Sequence, residues 1–173
     1  EPGPAPWPSP GTGGGFPGLP VALVWPQWQV ILMDSTQKKI TAVQSIAKAL
    51  HLANVFFLSE RAEHVGHQPT YREAFDLALV RAVGSTNTCA EYALPLMKPG
   101  GQVVLYRGQW ESAEAAELNA VLPRLGGKLL QVRPAQTPIT QSQRHYVHIQ
   151  KVSRTPDTFP RAAGVPAKTP LRG

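Results

Sequence analysis

Cysteine is nearly missing from this chain, with Cys89 standing alone among 173 residues. That excludes an internal disulfide and a cysteine-cluster metal site, and it fits a reducing cytosol. No run of about eighteen apolar residues occurs, so no membrane-spanning helix is expected. No basic-then-apolar leader precedes a small-residue cleavage site. These absences point to a soluble, cytoplasmic protein with no membrane role. No internal repeat is present. Acidic residues are scarce at one end only: residues 1–143 hold eleven Lys or Arg against ten Asp or Glu, whereas residues 144–173 hold six against Asp157 alone. Such an end attracts phosphates by counterion release, although the same charge also suits a merely solvated tail.

What is present suffices for one domain of ordinary size, with 42% hydrophobic residues to make a core. Residues 1–10 (EPGPAPWPSP) place proline at every second position, which removes backbone donors and argues against a central strand there. Residues 11–20 (GTGGGFPGLP) then put five glycines into eight positions, and Asp34 closes the apolar run QVILMD about twenty residues later. Glycine lets a backbone turn sharply against a ligand, and an acid at the tip of the next strand accepts hydrogen bonds from a ribose diol. The pairing predicts a Rossmann-like pocket for an adenosine-bearing cofactor.

Beyond the loop, strands and helices alternate. An apolar stretch covers 19–24, a strand lies near 29–33, and Ser35 caps a helix burying Ile40, Val43, Ile46 and Leu50. Strands follow near 54–58 and at 75–80. Thr88 and Glu91 have capping-box spacing before a helix with Ala90, Ala93, Leu94 and Met97 inward, ended by Gly100 and Gly101. A strand at 102–106, a helix at 111–122, and strands near 128–133 and 145–151 complete the order. This is an α/β, Rossmann-like fold, mostly parallel, with an antiparallel edge strand and a first strand that is absent or disrupted. The expected divisions are a proline-rich irregular segment (1–10), the main domain (11–152) and a basic, proline-containing tail (153–173).

The glycine loop reads two ways. Gly13, Gly15 and Gly18 satisfy GxGxxG, the dinucleotide fingerprint, while Gly11, Gly13 and Gly15 satisfy the looser GxGxG of S-adenosylmethionine loops. Wider motifs bear on the choice. GTGGGFPGLP, LMDSTQKK, the RAE triplet at 61–63, FDLALVRA at 75–82, RHYVHIQK at 144–151 and FPRAAGVPAKTPL at 159–171 occur in this order. In that order they resemble the bacterial 16S ribosomal RNA guanine-N7 methyltransferase family, also called glucose-inhibited division protein B, and its cyanobacterial members most closely. The resemblance implies a class I methyltransferase fold and S-adenosylmethionine as cofactor. It further implies 16S ribosomal RNA or a small-subunit particle as partner, and a monomer.

Carried over residue by residue, the resemblance places Gly11, Gly13 and Phe16 in the loop lining the methionine and adenosine side. It puts Asp34, Ser35 and Thr36 at the ribose, Ala62 and Glu63 at the adenine, and Arg81 between cofactor and substrate. Arg107, Arg144, Arg161 and Lys168 match basic positions that face RNA. Bland readings stand beside these: a helix N-terminal charge for Asp34, a loop acid for Glu63, and an ion pair with Asp76 or Glu63 for Arg81. Trp110 is read as packing before base stacking, and His145 as structural or RNA-contacting. His64 and His67 lack a third ligand, so no metal is expected. Methyl transfer to N7 needs alignment rather than acid–base chemistry, so no catalytic residue is assigned. In the family a strand ending in Asp precedes the glycine loop; here Ser9 and Pro10 take those places, which suggests N-terminal truncation. A nicotinamide-dependent oxidoreductase using GxGxxG and a non-catalytic RNA-binding remnant are the alternatives.

Overall fold

The structure is a computed structural model that describes residues 7–81 and 83–173. Seven strands alternate with six helices among the described residues. β1 (Trp7–Pro10), β2 (Val30–Asp34) and β3 (Val55–Ser59) pair in parallel in the order β1-β2-β3. β4 (Phe75–Arg81) and β5 (Met97–Arg107) are also parallel, and β7 (Gln143–Lys151) runs antiparallel between β5 and β6 (Gly127–Gln136). β1 lies beside β4, which joins the two groups into one layer. The helices are α1 (Gly18–Val24), α2 (Gln37–Ala49), α3 (Ala62–Val65), α4 (Thr86–Ala93), α5 (Ser112–Val121) and α6 (Val165–Lys168).

Alternation along β2 shows why helices cover both faces. Val30 and Leu32 pack with Leu19 and Ala22 of α1 and Val43 and Ala47 of α2. Met33 turns the other way, into a core shared with Ala90, Leu94, Leu105 and Leu118, against which Ile31 also packs. Successive strand residues point to opposite faces, so one five-residue strand seeds two cores. Each leucine buried this way contributes about 1.5–3 kcal/mol.

Several expectations change. The N-cap of α2 is Thr36 and not Ser35, and α4 ends at Ala93, so that Met97, Gly100 and Gly101 belong to β5. Trp7–Pro10 is a strand, in register with Val30–Met33, although its prolines argued against one; residues 1–6 lie outside the described residues. Successive residues of a strand present their N–H groups to opposite edges, so Pro8 and Pro10, two apart, strip donors from one edge only. The other edge can still serve a ladder, and the two sheets divide between β1 and β4. The antiparallel strand is β7, one place in from the edge that β6 forms. Ile46 and Leu50 are exposed, because the buried stripe of α2 is Ile40, Val43 and Ala47.

The tail is a strap, packed against the domain. Thr155 is fully buried, its hydroxyl donating to Leu125 O at 2.6 Å, and Leu171 sits in the main core. Arg72 donates to the carbonyls of Gly66, Thr155, Pro156 and Phe159 at 2.6–3.1 Å. Lys151, fully buried where the strap begins, donates to Leu94 O and Thr155 Oγ1 and pairs with Glu73 at 3.2 Å. Burial pulls its pKa from 10.5 to about 8, against the pull of Glu73. Between those values the unfolded chain binds more protons than the folded one, so this group's contribution to stability rises with pH. Urea unfolding of the wild type should therefore gain about 2 kcal/mol from pH 8 to pH 10 relative to Lys151→Met. Parallel pH profiles for the two proteins would refute that.

Candidate cofactor cleft and basic cavity

The glycine loop follows β1 and is sewn to the end of β2. Thr12 N–H donates to Met33 O at 3.0 Å, and Gly13 N–H donates to Asp34 Oδ2 at 3.2 Å. Asp34, only 5% exposed, also accepts from Thr36 N–H through Oδ1 at 2.9 Å, and Lys39 stands 3.5 Å away. One carboxylate thus fixes both the loop and the turn into α2. A carboxylate has about four acceptor sites, so capacity remains for a ligand. Gly11 has φ +68, and a Cβ there would meet Val83 Cγ2 at 2.5 Å. Glycine is required at that position by backbone conformation and by space alike.

These residues form one side of a cleft of about 250 Å3. Gly11, Asp34 and Ser35 face Ala62 and Glu63 of α3 across it, and Val83 and Tyr92 help to close it. Glu63 is 4% exposed. Its Oε1 accepts from Tyr92 Oη at 3.2 Å and from Gly164 N–H at 2.8 Å, with Arg61 at 3.9 Å. Burial and the neighbouring Glu63 push the Tyr92 phenol up to about 12, which keeps it a donor. Glu60, also in the cleft wall, is held below the usual carboxylate range by the Arg61 N–H at 2.8 Å and by His64.

A second cavity, of about 750 Å3, opens at the ends of β4 and β5 and the start of β7. Arg81, Arg107, Arg144, Tyr106, Tyr146 and Thr137 line it. Tyr106 and Tyr146 are cross-strand partners with rings 5.2 Å apart and nearly perpendicular. Burial raises the Tyr106 pKa, with Tyr146 adding to the shift. Arg107 is braced: Nη1 donates to Gly84 O at 2.8 Å, and Nη2 donates to Glu114 at 3.1 Å. The guanidinium of Arg144 is exposed.

Of the nine residues expected at the cofactor, Gly11, Asp34, Ser35, Ala62 and Glu63 meet in the cleft. Gly13 and Thr36 reach it through Asp34. Phe16 and Arg81 sit together instead, the guanidinium 5.8 Å from the ring centroid, with Arg81 in the basic cavity. Val83, two positions after Arg81, lines the cleft wall.

Of the expected RNA contacts, Arg107 and Arg144 share the cavity and Lys168 is exposed on α6. Arg161 grips fully buried Glu91, with Nε at 2.9 Å and Nη2 at 2.8 Å. That carboxylate raises the Arg161 pKa. The capping-box reading of Thr88 and Glu91 is displaced by Ser85, whose Oγ accepts from Thr88 N–H at 3.2 Å. His64 binds Glu60 and His67 binds Pro160 O, so the two histidines do not converge. His145 donates to Gly108 O at 2.7 Å, and Trp110 packs against the core.

Residue typing missed Tyr92, Val83 and Lys39 in the cleft and the tyrosine pair in the cavity. A signal existed for the pair: each tyrosine lies within two residues of an arginine at a strand end, in YR (106–107) and RHY (144–146).

A family profile described as GidB, rRNA small subunit methyltransferase G, matches residues 10–147. The chain is 48% identical over 161 residues to "Ribosomal RNA small subunit methyltransferase G" of Trichormus variabilis, covering 93% of this chain and 66% of that protein. The corresponding protein of Gloeobacter violaceus is also 48% identical, with 93% and 64% covered. The chain therefore spans about two thirds of the length of these relatives. Among solved structures, the 16S rRNA (adenine(1408)-N(1))-methyltransferase of Catenulisporales acidiphilia with cosubstrate SAM superposes with a TM-score of 0.68 at 18% identity, covering 88% of this chain and 87% of that one. A SAM-dependent methyltransferase from Methanosarcina mazei gives 0.64 at 14% identity, with 87% and 93% covered.

Proposed function

Since this chain belongs to the rRNA small subunit methyltransferase G family, we propose that it transfers a methyl group from S-adenosylmethionine to N7 of a guanine in 16S ribosomal RNA. One observation carries the reading beyond the family match. The cleft places a buried Asp34 at the tip of β2 beside a glycine loop in which a Cβ at Gly11 would collide with Val83. The residues fit the cofactor: a carboxylate for a ribose diol, a side-chain-free backbone for close approach, and a second buried carboxylate in Glu63. The Thr12 hydroxyl in the same loop is buried without a hydrogen-bond partner among the described residues.

S-adenosylmethionine, when bound, supplies an electrophilic methyl group. The chain's own part is to orient and to exclude water. Asp34 holds the ribose end, and Gly11 with Val83 sets the depth of the cleft. Arg81 of the basic cavity and Val83 of the cleft stand two positions apart in the chain. In that cavity Arg81 and Arg144 neutralise phosphates, while the tyrosine pair offers an aromatic face to an unstacked base. The reading carries with it a cytoplasmic monomer acting on ribosomal RNA or on a small-subunit particle.

Calorimetry with S-adenosylhomocysteine and with NADH tests the cofactor, and transfer of labelled methyl to 16S RNA, with N7 revealed by aniline cleavage, tests the product. Binding of NADH alone would replace this reading with the oxidoreductase one. RNA binding without either cofactor would favour the non-catalytic remnant. Arg144→Gln should weaken RNA binding and lower its salt slope by about one, leaving affinity for S-adenosylhomocysteine unchanged. An unaltered slope would remove Arg144 from the RNA face.

A further inference from the structure

Glu63 joins two parts of the molecule that the sequence separates by a hundred residues. It lines the cofactor cleft, and every hydrogen bond it accepts among the described residues falls on Oε1. Oε2 is thus the acceptor left to meet a donor in the cleft. One of the two groups fixing Oε1 is the backbone N–H of Gly164, in the strap.

The strap is built to hold that N–H in place. Three residues before it, Arg161 is locked to Glu91 by its guanidinium and by its own N–H at 2.8 Å. Two residues after it, Pro166 O accepts from the buried Thr88 hydroxyl at 2.9 Å, and Leu171 O accepts from Asn87 at 2.8 Å. Asn87, Thr88, Glu91 and Tyr92 all belong to α4. The helix that anchors the strap therefore also supplies the second donor to Glu63. Gly164 itself has φ +82, a conformation that glycine and asparagine accept and β-branched residues resist.

We propose that the C-terminal strap completes the cofactor cleft, with Gly164 as a positioning residue whose N–H orients Glu63 toward the adenosine of the cofactor. The inference rests on the S-adenosylmethionine reading of the cleft. It makes cofactor binding and strap docking reciprocal: each stabilises the other through one carboxylate.

Gly164→Val and Gly164→Asn test it. A Cβ at Gly164 meets nothing within 4 Å, so the valine acts through backbone conformation, not collision. S-adenosylhomocysteine should bind about tenfold more weakly to Gly164→Val, and Gly164→Asn should restore affinity to within about twofold. Adding Glu63→Gln should cost less in the valine variant than in the wild type. Hydrogen exchange on the wild-type protein gives an independent readout. Bound S-adenosylhomocysteine should slow exchange of the Gly164 amide severalfold, and this measurement decides the matter if Gly164→Val does not fold. Wild-type affinity in both variants, or exchange indifferent to ligand, would overturn the strap's role while leaving the cleft assignment standing. Failure of the wild type to bind S-adenosylhomocysteine would overturn the cleft assignment itself, and the strap's role with it.

Discussion

Asp34→Ala should weaken S-adenosylhomocysteine binding by about 1.5–3 kcal/mol, roughly 10- to 150-fold, the scale of hydrogen bonds to a charged group. The carboxylate has two duties, and both are lost together. In the proposed reading it accepts from the ribose; in the structure it accepts from the N–H groups of Gly13 and Thr36, which shape the loop and the turn. Thermal stability should fall as well, by about 1–2 kcal/mol, because both amides bond to a carboxylate that is only 5% exposed. Asp34→Asn separates the duties, since its amide keeps one acceptor oxygen. Affinity measured by calorimetry, beside urea unfolding, should show the asparagine variant between alanine and wild type. Alanine affinity within twofold of wild type would reduce Asp34 to a staple of the loop. RNA affinity should hardly change in either variant.

Arg161→Met should destabilise the fold by about 3–5 kcal/mol, because it leaves the fully buried Glu91 carboxylate without its cation. The double variant Arg161→Met, Glu91→Leu should recover most of that loss, since a hydrophobic pair of similar volume removes the stranded charge. Equilibrium denaturation of the three proteins measures both effects. The basic end of the sequence invites a different result, a loss of phosphate contacts. At low denaturant, where Arg161→Met stays folded, its RNA salt slope should match the wild type. A slope lowered by about one would return Arg161 to the RNA surface.

The contrast between these two residues shows what the sequence discloses. The place of Asp34 in the cleft is legible because a strand end and a glycine loop at fixed spacing are local features. Arg161 reads as a free cation because its partner lies 70 residues away, and Glu91 reads as a helix cap because a capping box is a local pattern. Ser85, three residues upstream of Thr88, does the capping. The order of strands and helices was legible for the same reason as Asp34: periodicity is local, and the β2 and β4 runs are strongly apolar. The place of β7 inside the sheet was not, because pairing order depends on chain crossings that no hydrophobic period records. β1 escaped because alternate prolines disqualify only one edge of a strand. Phe16 and Arg81 matched family positions, yet Val83, two positions after Arg81, lines the cleft wall.

The strap also bears on how the chain folds. Its anchors close loops of 101 residues at Glu63, 84 at Asn87 and 70 at Glu91. Closure entropy of this size is met before any of the contacts repays it, which places these links among the slow steps of topology-limited folding. Until they form, Glu63 and Glu91 lack strap donors and retain water. Desolvating either carboxylate alone would be unfavourable, so the strap gains little from docking piece by piece. Its docking is therefore expected as one late event that dries two carboxylates at once.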